Sequence, residues 1–71
     1  MQVVQITKQI VEHKVMAKVI PAHATEFEIY SNYRGTIEQM RRELNLAVAN
    51  GSLIEGRTLN SKYYKLNSDR T

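Results

Sequence analysis

The side chains with the most chemical capacity cluster in the second half of the chain. Thr36, Gln39, Arg41 and Arg42 fall within two helical turns, and Arg57, Lys62 and Lys65 follow, the last two flanking Tyr63 and Tyr64. Arginine and lysine hold phosphates as charge-assisted donors. Arginine can also grip the edge of guanine with two hydrogen bonds, and glutamine the edge of adenine. This is chemistry for recognising a polyanion, not for transforming a substrate.

Catalytic readings find little to build on. His13 and His23 are widely spaced, with no cysteine and no paired carboxylate beside them, which is not a metal-ligand pattern. Glu26 and Glu28 straddle Phe27 and suit the positive end of a helix dipole better than an acid–base pair. Ser31, Ser52, Ser61 and Ser68 lack the strand–turn–helix setting of a nucleophile, and Gly35, Gly51 and Gly56 do not form a phosphate loop. The chain reads as a non-enzyme, with no cofactor and no metal site.

Five segments must position the basic residues. Residues 3–18 carry two apolar helical stripes: Val3, Ile6, Ile10 and Ala17 on one, and Val4, Val11, Val15 and Val19 on the other. The helix is expected to give way to extended chain near residue 16, before Pro21, because the residue preceding a proline is pushed out of the helical region. Thr25-Glu26-Phe27-Glu28 is a capping box and predicts a short second helix ending at Gly35, with Tyr30 and Tyr33 as core residues. Thr36-Ile37-Glu38-Gln39 is another capping box. It opens a helix over 36–49 with Ile37, Met40, Leu44, Ala47 and Val48 on one face. Two capped helices separated by so few residues must turn sharply, as in a helix-turn-helix. Glu38 lies one turn before Arg41 and Arg42, so local ion pairs are expected there. Beyond Gly51, the stretches Leu53-Ile54 and Tyr63-Tyr64-Lys65-Leu66 predict a β-hairpin over 52–66, with one of the two tyrosines in the core and the other exposed.

Length and charge fit this reading. The 71 residues allow one domain, 1–71, with a thin core made of Ile6, Ile10, Phe27, Ile29, Tyr33, Ile37, Met40, Leu44, Ala47, Leu53, Ile54 and Tyr64. There is no cysteine, so no disulfide supports the fold. No apolar run is long enough to span a membrane and no secretory signal opens the chain, so a complete reading frame with a cytoplasmic address is expected. The net charge is +3. Charges cancel over residues 1–33 and again in Asp69 and Arg70, which leaves the whole excess between Arg34 and Lys65.

The order helix, helix, turn, helix, hairpin resembles the winged helix-turn-helix family: mainly α, three helices plus a wing. The residues that carry the likeness run from Thr25 to Leu66. They are Thr36-Ile37-Glu38-Gln39-Met40-Arg41-Arg42-Glu43-Leu44, then Ala47, Gly51, Leu53-Ile54 and Tyr63-Tyr64-Lys65-Leu66, with Ser52 standing between Gly51 and Leu53 where the family pattern has no residue. The resemblance implies a small sequence-specific duplex-DNA-binding protein of bacterial or phage type, either a transcriptional regulator or a recombination accessory factor. In that setting the helix over 36–49 enters the major groove and the hairpin touches the backbone. Gln39 and Arg42 would read bases, Thr36 and Arg41 would hold phosphates, and Arg57 and Lys62 would anchor the wing. Fold does not fix function, however. Glu38, Glu43 and Glu55 within the same region, and the spare stripe Val4, Val11 and Val15, favour a second expectation: a protein-interaction module. That stripe also predicts a homodimer through the first helix.

Overall fold

A computed structural model describes residues 2–67; Ser68, Asp69 and Arg70 lie outside the described residues. The elements run α1 (Gln2–Met16), β1 (Ala24–Thr25), α2 (Glu26–Asn32), α3 (Ile37–Ala49), β2 (Leu53–Arg57) and β3 (Lys62–Leu66). The three strands form one antiparallel sheet in the order β1-β3-β2. This is a helix-plus-hairpin, winged-helix arrangement.

Both capping boxes form. Thr25 Oγ1 accepts the Glu28 N–H at 3.1 Å, and Glu28 Oε1 accepts the Thr25 N–H at 3.0 Å. Thr36 and Gln39 make the same reciprocal pair at the start of α3, with both bonds at 3.1 Å. Each pair satisfies backbone donors that a helix start leaves open. The second helix is shorter than expected. It stops at Asn32, short of Gly35, because Tyr33 turns extended and gives its N–H to the Tyr30 carbonyl.

Helices α1 and α3 end alike. After α3, the Ser52 N–H reaches the Ala47 carbonyl at 2.9 Å and the Gly51 N–H reaches Val48 at 3.2 Å, with Gly51 at φ +85°. This is the Schellman arrangement, and it uses Ser52, the residue that stands outside the family pattern. After α1, the Val19 N–H reaches Lys14 at 2.8 Å and the Lys18 N–H reaches Val15 at 3.0 Å, with Lys18 at φ +61°. A lysine thus holds the left-handed position that a glycine holds after α3.

The core is Val3, Ile6, Ala24, Ile29, Met40, Leu44, Ala47, Leu53 and Tyr64, joined by buried Thr7. Ile10 and Tyr33 pack on its edge. Three expected core residues are exposed instead: Phe27, Ile37 and Ile54. Helix α2 is too short to bury more than one turn inward, and Ile29 takes that position. Ile37 sits in the first turn of α3, beyond the core's rim. Ile54 follows Leu53 in a strand, where neighbouring side chains point to opposite faces, so only one can be inside. Tyr30 is exposed as well, contrary to its expected place in the core. The two hairpin tyrosines behave as strand parity requires: Tyr64 is buried and Tyr63 is half-buried.

Candidate nucleic-acid interface

Helix α3 buries Met40, Leu44 and Ala47. At 100° per residue, the opposite side carries Glu38, Arg42, Asn45 and Ala49 in a line, with Arg41 on one flank and Gln39 and Leu46 on the other. All of these are exposed. Thr36, Gln39, Arg41 and Arg42, the four residues expected on this helix, therefore share its first two turns.

Their partners differ from expectation. Arg41 Nε lies 3.2 Å from Glu26 Oε2 on α2, not beside Glu38, so this ion pair fixes α3 against the preceding helix. No ion pair between Glu38 and Arg42 forms among the described residues, and Arg42 stands unpaired on the outward line. The Gln39 side-chain oxygen is committed to the Thr36 N–H, and its amide nitrogen makes no hydrogen bond among the described residues.

The hairpin supplies the other two expected residues. Arg57 and Lys62 are directly opposed in the ladder. They project from the same face as buried Leu53 and Tyr64, beyond the core's edge. Two cations opposed in this way repel. Glu55, one step along the same face, offsets this with its carboxylate 3.8 Å from Lys62 Nζ.

The Tyr64 hydroxyl lies between helix and hairpin and feels both. Burial, then Glu55 and Glu26, push its pKa up to about 12, against the opposing pull of Arg41 and Arg57. No hydrogen bond or ion pair joins the α3 set directly to Arg57 and Lys62 among the described residues.

Two further residues belong to this surface and escape the sequence reading, Asn45 and Arg34. Asn45 lies on the outward line of α3, one turn after Arg42, and its spacing alone could have revealed it. Lys65, already singled out in the sequence beside the two tyrosines, is exposed on the face of β3 opposite to Arg57 and Lys62. Arg34 is exposed in the turn between α2 and α3, where its backbone is held at both ends by the Gln2 amide, at 3.1 and 3.2 Å. Arg34 and Arg42 flank a groove of about 410 Å³ floored by Tyr33, Glu43 and Leu46. Within it, Tyr33 Oη donates to Glu43 Oε2 at 2.8 Å, and this bond holds the phenol above its usual pKa. Nothing in the sequence pattern signals the groove, because it depends on how the N-terminus of α1 meets α3.

The two histidines do not meet. His23 stacks on Tyr63 with ring centroids 4.2 Å apart, and His13 lines a separate groove between α1 and α2. Among the described residues, no three histidine, aspartate or glutamate side chains gather as metal ligands would, and no helix is long and apolar enough to cross a membrane. No protein-family model, curated protein or solved structure matches this chain.

Proposed function

We propose that this protein binds duplex DNA, with α3 in the major groove and the hairpin along the backbone. The observation that carries the reading is the outward line of α3. A capped helix buries one side and offers Arg42 and Asn45 on the other, with no side-chain hydrogen bond or ion pair among the described residues. Arginine and asparagine are suited to guanine and adenine edges respectively. Arg41, Thr36, Arg57, Lys62 and Arg34 supply phosphate contacts on either side. Gln39 contributes a single donor through its amide nitrogen, because a bidentate adenine contact would break the cap at Thr36. No step of catalysis is assigned. The protein works, on this reading, in the cytoplasm as a bacterial or phage-type regulator or recombination accessory factor.

An electrophoretic mobility shift across a salt series tests this. Affinity for any duplex should fall steeply with salt as counterions are released. Lys62→Ala should weaken all sequences alike and lower the salt slope by about one unit. Arg42→Ala should cost about 1–3 kcal/mol on the preferred site and relax its specificity.

One observation favours the interaction-module reading: Phe27 is 78% exposed on α2, with Tyr30 and Ile37 also open to solvent. Absence of any shift at about 50 mM salt, where phosphate contacts are strong, together with a co-purifying protein lost on Phe27→Ser, would replace the first reading with the second.

A further inference from the structure

The outer face of α1 carries apolar surface that the core does not use. Val3, Ile6 and Thr7 face inward, and Val4 and Ile10 pack at the core's edge, so Val4 is not wholly spare. Val11 is half-buried. Val15 is 60% exposed, Met16 82%, Val19 47% and Ile20 89%, a run of apolar side chains at the end of α1 and just past it. Monomers seldom leave contiguous apolar surface of this kind open.

Two charges border the stripe and identify what covers it. Lys8 and Glu12 are exposed, lie one turn apart on the same flank of α1, and are in no ion pair among the described residues. In an antiparallel pair of identical helices related by a two-fold axis, like flanks meet and heights reverse. An axis opposite Ile10 then sets Lys8 of one chain against Glu12 of the other, twice over. The same operator sets Val15 of one chain beside Val4 of the other and brings the two Val11 side chains together along the seam. The surface is thus complementary to itself in both charge and polarity.

We propose that the protein forms a homodimer through antiparallel α1 helices, with reciprocal Lys8–Glu12 pairs flanking a seam of Val4, Val11 and Val15. The inner face of α1 packs on α2, α3 and β3, and the seam uses only residues of α1, none of them on the outward line of α3. Self-association is therefore tested independently of whether the α3 surface binds DNA.

Sedimentation equilibrium without nucleic acid tests the proposal. The wild-type chain should show a concentration-dependent dimer. Lys8→Glu gives a chain with two acids on the flank and Glu12→Lys a chain with two bases. Each should weaken self-association about tenfold or more, since like charges meet. An equimolar mixture of the two variants should recover a heterodimer at wild-type strength or better, because every flank contact is then attractive. Val15→Glu should weaken association without changing the circular dichroism spectrum, since Val15 is exposed in the single chain. A wild-type monomer at all concentrations overturns the proposal. Single variants that associate like wild type, or a mixture that stays monomeric, overturn it equally.

Discussion

Gln39 and Thr36 hold each other: the glutamine oxygen takes the threonine N–H, and the threonine oxygen takes the glutamine N–H. The residue best suited by type to read adenine is therefore also the residue that starts α3. Thr36→Ala should cost about 1 kcal/mol. In a domain this small that lowers the melting temperature by roughly 4–8 °C. Gln39→Glu preserves the capping box and should keep stability, whereas Gln39→Ala should not. If thermal melts show Gln39→Ala to be silent, the cap does not depend on the glutamine side chain.

Lys18 occupies a left-handed backbone position that costs a side-chain-bearing residue about 1–2 kcal/mol. Lys18→Gly should raise stability by about 1 kcal/mol in urea titration, with no change in the slope of the transition. Gly51→Ala, at the matching position after α3, should do the reverse.

Gly56 lies under the Tyr63 ring, and a Cβ there would collide with the phenol. Tyr63 also carries His23 on its ring. Gly56→Ala should displace the tyrosine, shift the His23 ring protons in NMR spectra and cost about 1–3 kcal/mol by overpacking. Unmoved His23 resonances would mean that the ring is not held where the structure puts it.

Tyr64 brings a pH dependence. Its phenol ionises near 10 in the unfolded chain and at about 12 in the fold. The unfolded chain thus releases its proton first as pH rises, which draws the equilibrium toward unfolding. The contribution is intact below pH 10 and is lost as the pH rises from 10 through about 12. Melts of Tyr64→Phe over this window should decline less than those of the wild type.

The sequence made the helices and the hairpin legible because their signals are local. A capping box occupies four consecutive residues, and strand parity needs only neighbours, so Thr25, Thr36 and the Tyr63/Tyr64 alternation could be read directly. What escaped depends on distant partners. Ala24 and Thr25 are too few to show a period, and they form a strand only because Tyr63 and Tyr64 come alongside. Phe27 and Ile37 look like core by type, and only the short reach of α2 and the rim of the core expose them. Arg41 had an acidic partner one turn away in sequence, Glu38, but pairs with Glu26 because the turn between α2 and α3 brings that carboxylate closer. Of the candidate site, the basic residues were legible and their commitments were not.

Thr25 belongs to two structures at once. It lies opposite Tyr63 in the sheet and caps α2 through its own oxygen. Pulling the third strand away would therefore also release the start of α2. Lys14 adds to this coupling, since its ammonium holds the Glu28 carboxylate of the same cap at 2.9 Å and the His23 carbonyl at 2.8 Å. The hairpin and the second helix should thus open as a single cooperative unit. In native-state hydrogen exchange, amides of Ile29 and Tyr64 should report the same opening free energy and the same denaturant sensitivity. A wing that frays alone, with Ile29 still protected, would separate the two.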